Sequence, residues 1–269
     1  MCVKKMMGRG VVAAALMMSG SMMAAEPNLA DVLARTKPLT WIAPEGGVFR
    51  YRWHEPLTQQ AKQSCPLVIF MHGAGERGTN NVSQLKWGVR EIFDCLQARG
   101  EEFFFVAGQV PGGKRWVEVD WSMLAHAMPE NPSETMALQM AFVDYLFATR
   151  PEIDRSRVYV TGVSMGGYGT WDILCRRPMW FAAAMPICGG ADVLQVWRLR
   201  EIPIWTFHGD CDSTVPVSRS RTVVAALWAC DGNVKYTEYP GVGHGSWIPA
   251  YGDRKNLDWM FLQRKQISK

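Results

Sequence analysis

Short uninterrupted apolar runs alternate along this chain with stretches of helical periodicity. Pro66 to Met71 (P-L-V-I-F-M) has no polar position, which predicts a strand covered on both faces. Phe103 to Ala107, Val158 to Thr161, Phe181 to Ile187, Ile202 to Phe207 and Val234 to Tyr239 are rich in β-branched and aromatic residues and predict further strands. Val48 to His54 alternates apolar and polar, as an edge or half-covered strand does. Between Val82 and Arg99, Leu85, Val89, Ile92, Phe93 and Leu96 recur at helical spacing, and Gly100 stops the pattern. Ser133 is placed to cap a helix running to about Thr149, with Glu134 in its first turn. Helices are also expected over Met165 to Arg176, Val217 to Cys230 and Asp253 to Gln263. Glu26 to Pro44 reads as a leader, and Gly108 to Pro132 as the longest irregular segment.

Strands alternating with helices make an α/β fold, with a mostly parallel central sheet and helices on both faces. Such sheets carry their functional loops at the C-terminal ends of the strands. Glycine-marked turns follow the expected strands there: His72-Gly73-Ala74, Gly162-Val163-Ser164, Gly189-Gly190, His208-Gly209 and Gly241 to Gly245. Only Gly189 to Glu201 separates two of the strands, so no large cap domain is expected and the site should be open.

The composition, 48% hydrophobic and 20% charged over 269 residues, is that of an ordinary globular protein, and residues 26–269 fit one catalytic domain. A net charge of +4 with no basic stripe argues against nucleic acid. Residues 1–25 read as a signal peptide: Lys4, Lys5 and Arg9 form a positive head, Val11 to Met18 an apolar run, and Ala24-Ala25 a small-residue end. That run is too short to span a bilayer, so a secreted or periplasmic protein without a stable membrane anchor is expected. Of seven cysteines, Cys2 would leave with the signal; the other six suggest disulfides, with Cys188 and Cys211 the favoured pair and buried free thiols the alternative. No cysteine or histidine spacing points to a metal, and no cofactor is expected.

The chemistry centres on Gly162-Val163-Ser164-Met165-Gly166, a G-x-S-x-G match between an expected strand and an expected helix. A turn that tight lifts the Ser164 hydroxyl above the sheet. A serine hydroxyl needs a base, and the base needs an orienting acid. With this motif the chain order is serine, acid, histidine. Of five histidines, only His208 and His244 follow Ser164. His208 ends a strand at the expected acid loop and reads as a brace, which leaves His244 as the base. The acid loop holds Asp210 and Asp212; Asp212 is preferred, with Asp210 shaping the loop. Two backbone amides, of Ala74 and Met165, are expected to form the oxyanion hole. His72 in that turn reads as structural. Trp116, Trp121 and Trp247 are candidate aromatic walls for substrate, with core packing as the alternative for each.

With these motifs placed, the chain resembles the α/β-hydrolase superfamily. It is similar to exported bacterial esterases described as polyhydroxybutyrate-depolymerase-like, feruloyl- or acetyl-xylan-esterase-like, or predicted peptidases. The resemblance is carried by Tyr51-Arg52, Phe70 to Gly78, Trp116-Val117-Glu118, Val158 to Trp171, His208-Gly209 through Val215-Pro216, and Tyr239-Pro240 through Trp247. The family pattern His-Gly-x-x-Asp-x-x-Val-Pro puts its acid at Asp212. The resemblance implies hydrolysis of carboxylic esters through an acyl-enzyme. Feruloyl or acetyl esters of plant polysaccharides are the expected substrates. A polyester depolymerase and a serine peptidase are the alternatives on the same scaffold, and a binding module without activity is the alternative of another class.

Overall fold

A computed structural model of the chain describes residues 29–56 and 64–266. The signal segment, residues 1–25, lies outside the described residues. One eight-stranded sheet organises the rest, in the order β1-β2-β4-β3-β5-β6-β7-β8. The strands are β1 (Lys37–Ile42), β2 (Val48–His54), β3 (Cys65–Met71), β4 (Phe104–Gly108), β5 (Ile153–Val163), β6 (Ala183–Ile187), β7 (Ile204–Gly209) and β8 (Val234–Tyr239). β1 and β2 pair antiparallel, β2 pairs antiparallel with β4, and every pairing from β4 through β8 is parallel.

The helices are α1 (Leu29–Arg35), α2 (Val89–Ala98), α3 (Glu134–Thr149), α4 (Met165–Arg176), α5 (Ser218–Trp228), α6 (Trp247–Gly252) and α7 (Arg254–Leu262). They cover both faces of the sheet, which explains the continuous apolar runs. Along β3, Leu67, Ile69 and Met71 join one core with α3, α4 and α5, while Val68 and Phe70 join another with α2 and α7. Every residue of β3 is therefore buried. None of the described helices is long and apolar enough to cross a membrane.

Several expectations are corrected. The leader contains α1 and the true edge strand β1, so β2 is an inner strand. The helix expected from Val82 starts only at Val89. Gly88 has φ 76°, a left-handed conformation that breaks the helix, and a Cβ there would fall 2.3 Å from the ring of Tyr251. The short turn Ser83–Leu85 precedes it as a 3-10 helix. The favoured disulfide is not formed: Cys188 and Cys211 are both free thiols, the first buried under the His244 loop and the second exposed on the acid loop.

Other expectations hold in detail. Met165 to Arg176 and Val234 to Tyr239 match their elements to the residue. Ser133 caps α3 by accepting from the Met136 amide at 3.1 Å. Between β6 and β7 there is only a single 3-10 turn, Val196–Leu199, and no cap domain.

The chain turns to one side of β3 to form β4 and to the other side to form β5. Open α/β sheets bind their ligands at such a switch point. Here β3 runs into the His72-Gly73-Ala74 turn and β5 into Ser164.

Candidate active site

The sequence around Ser164 leaves the backbone little choice. Ser164 has φ 55° and ψ −118°, which is strained for a residue with a side chain. The chain can make this turn because Gly162 and Gly166 flank it. A Cβ on Gly166 would fall 2.0 Å from the carbonyl oxygen of Met71, and one on Gly162 would fall 2.5 Å from that of Gly166. The turn thus lies directly on the end of β3. α4 begins at the next residue, with its free N-terminal amides and positive dipole end beside the hydroxyl.

β7 and β8 bring the other two side chains. Ser164 donates its hydroxyl proton to Nε2 of His244, with the atoms 2.8 Å apart. Nδ1 of His244 donates to Oδ2 of Asp212 at 2.7 Å. A carboxylate only accepts, so Nδ1 must carry the proton and Nε2 the lone pair. The Asp212 side chain is fully buried, whereas that of His244 is 24% exposed. Burial alone would raise the Asp212 carboxyl. The hydrogen bonds from His208, His244 and the amides of Val215 and Thr214 outweigh it and hold the group well below the usual carboxylate range.

The remaining residues of the acid loop take the places expected. His208 is wholly buried, held between the Ser220 hydroxyl at 2.7 Å and the Val215 carbonyl at 3.0 Å, and it faces Asp212 at 3.2 Å. Asp210 is exposed and accepts from the Gly241 amide at 2.7 Å, tying the acid loop to the histidine loop.

The His72-Gly73-Ala74 turn is braced from below. Nδ1 of His72 donates to the Gly73 carbonyl at 2.6 Å, and Nε2 accepts from the Val110 amide at 2.9 Å. That bonding pattern is the neutral ring, and burial pushes His72 down to about 4. Ala74 and Met165 each open a helix, so neither amide has an intrahelical acceptor. Gly73 packs against the serine: a Cβ there would lie 3.7 Å from the Cβ of Ser164.

Of the three tryptophans, the structure moves one away from the site. Trp116 is 0% exposed, and its indole N–H donates to the His72 carbonyl at 3.1 Å. Trp116 is a strut of the turn, not a wall; the loop that carries it dips between β3 and α4 and closes on Gly169. Trp247 does border the triad, with its ring edge-on to His244 at 5.3 Å. Trp121 is half-buried under the Arg115 guanidinium, and its carbonyl accepts from the Tyr168 hydroxyl. Trp87, which the sequence did not single out, packs 5.8 Å from Trp247 and donates to Glu76 at 3.2 Å. Its only signal was an aromatic residue just before Gly88.

Among the described residues, Cys188, Asp212 and His244 have ligating atoms within 4.8 Å of one another. Asp212 and His244 are already bonded to each other, and burial pushes the Cys188 thiol far up, so it stays protonated. The grouping fits a proton relay better than a metal cage.

A family model described as Phospholipase/Carboxylesterase matches residues 54–253. The chain belongs to this family. Acyl-protein thioesterase 1 of Neurospora crassa is 25% identical over 198 residues, 66% of this chain and 80% of that protein. Among solved structures, a thermostable esterase superposes with a TM-score of 0.78 at 36% identity. That match covers 87% of this chain and 64% of the other, so the chain spans less than two thirds of that esterase's length. A ferulic acid esterase superposes with a TM-score of 0.63 at 18% identity, covering 84% of this chain and 97% of that one, which speaks for the fold alone. With its fold and its family, the chain belongs to the α/β-hydrolase superfamily.

Proposed function

We propose that the chain hydrolyses carboxylic esters through an acyl-enzyme on Ser164. The unbroken hydrogen-bond chain from Ser164 through His244 to Asp212, 2.8 and 2.7 Å long, carries this reading. Ser164 attacks the ester carbonyl while Nε2 of His244 takes its proton. Asp212 keeps His244 in the right tautomer and stabilises the imidazolium. The amides of Ala74 and Met165 hold the oxyanion. His244 then returns the proton to the leaving alcohol, and water repeats the sequence to free the acid.

The proposed substrates are feruloyl or acetyl esters on plant polysaccharides. The lack of a cap between β6 and β7 and the Trp247 ring beside His244, with Trp87 packed on Trp247, support an aromatic or sugar group there. Export belongs to the same proposal and rests on the composition of residues 1–25. The test is a panel of methyl ferulate, acetylated xylan, short nitrophenyl esters, a polyester and peptide amides. Turnover of the first two supports the reading. Turnover of polyester or peptide alone replaces it with one of those activities, and full turnover by Ser164→Ala removes the mechanism.

A further inference from the structure

Arg219 lies in the first turn of α5 and is 2% exposed. A guanidinium stays charged in a protein, so burying one without a counter-charge is costly. Arg176 of α4, which is half-buried, has Asp172 at 2.7 Å, and the other buried arginine, Arg52, gives its guanidinium to the Asn81 and Thr36 carbonyls. Arg219 has no carboxylate within ion-pair reach among the described residues. Its Nε donates to the Tyr168 hydroxyl at 3.2 Å, and its Nη2 donates to Nδ1 of His126. Nη1 has no acceptor among the described residues.

The surroundings are built for this side chain. A Cβ on Gly190 would fall 2.6 Å from Nε, so a side chain there would push the guanidinium out of its present place. Tyr168 lies one turn along α4 from Ser164, and its amide donates to the Ser164 carbonyl at 3.1 Å. Ser220, next to Arg219, holds His208, which faces Asp212. Arg219 therefore touches the helix that Ser164 opens, and its chain neighbour Ser220 holds His208. His126 accepts through Nδ1 and is neutral, so it supplies no compensating charge.

We propose that Arg219 is a specificity residue whose open Nη1 takes a carboxylate carried by the substrate. The preferred esters then bear an anionic carboxylate as well as the scissile bond. This rests on the esterase reading above. The carboxylate has two sources: the acyl part, as a hemiester of a dicarboxylic acid, or the alcohol part, as an acidic sugar. Either one accepts from Nη1 in a charge-assisted bond and supplies the missing counter-charge.

The experiment compares matched pairs of substrates: nitrophenyl hemisuccinate against nitrophenyl butyrate, and an acetylated methyl glucuronoside against the acetylated methyl glucoside. Wild type is expected to prefer the anionic member of one pair, and that pair identifies the source. In Arg219→Gln the preference should shrink by about 30-fold, mostly through KM, as expected for one charge-assisted hydrogen bond. Arg219→Lys should restore part of it. An equal loss on both members of each pair would make Arg219 a strut between α5 and the Trp121 loop, and would overturn the proposal. If wild type turns over no ester, the esterase reading fails on its own. Calorimetric binding of monomethyl succinate and methyl glucuronoside to Ser164→Ala then decides. Binding that disappears with Arg219→Gln keeps the proposal; no binding to Ser164→Ala sinks it.

Discussion

The indole N–H of Trp116 meets the backbone carbonyl of His72 at 3.1 Å, and the two rings cross at 60°. A tryptophan from the long loop thereby holds up the turn that follows β3. Trp116→Phe keeps most of the ring and removes the donor, leaving a buried carbonyl unpaired at a cost of about 1–3 kcal/mol. The displaced turn should lower kcat by roughly tenfold to a hundredfold with little change in KM. Urea melts and steady-state kinetics read the two effects separately.

Ser164→Ala is expected to lower turnover by about ten-thousandfold or more while the protein stays folded. A fluorophosphonate probe should label wild type on Ser164 and leave the variant unlabelled, as seen by mass spectrometry of the intact protein.

Asp212 and Asp210 are two positions apart and separate cleanly. Asp212→Asn should favour the wrong tautomer of His244 and cost about ten-thousandfold in kcat. Asp210→Asn loses only a carboxylate on the exposed Gly241 amide and should stay within about tenfold of wild type. Similar kinetics for the two variants would refute the assignment of the acid.

The neutral ring of His72 links stability to pH. Its folded value is pushed down by burial from 6.5 to about 4. Across that interval the unfolded chain binds a proton that the folded chain refuses, so stability falls as the pH drops from 6.5 towards 4. The loss amounts to about 3 kcal/mol once the pH is below both values. His126, lowered to about 4 by burial and then by the Arg219 charge, steepens the same window. In His72→Gln the dependence of the urea midpoint on pH between 7 and 4 should flatten, because a glutamine carbonyl takes the Val110 amide without titrating.

Much of this was legible in the chain, and physical reasons separate what was from what was not. β3 and β5 were readable because helices on both faces make every position apolar. The motif around Ser164 was readable because its glycines are sterically compelled. His244 followed from chain order and a short supply of histidines. β1 escaped notice because its residues are almost all exposed and leave no periodic trace. Trp116 was ambiguous because an indole suits a core and a substrate wall equally well. Only its contact with His72 decides between them. The isolation of Arg219 had no signature in the chain, since a missing partner is a property of three-dimensional packing.

The border strand β8 pairs with β7 alone, yet it leads directly into the loop that carries His244. Ser164 and the amides around it sit at the centre of the sheet, on strands flanked from both sides. The three side chains are thus anchored unevenly, with His244 carried from an edge of the sheet, where a strand has one neighbour to hold it. Glu238 on β8 is clasped by Arg221 of α5 through contacts of 2.6 and 2.8 Å, and Thr237 accepts from the Trp205 indole of β7 at 2.9 Å. On warming, amide exchange over Val234–Tyr239 should quicken before that of β3, and activity should fade at temperatures where the tryptophan core still reports a folded protein.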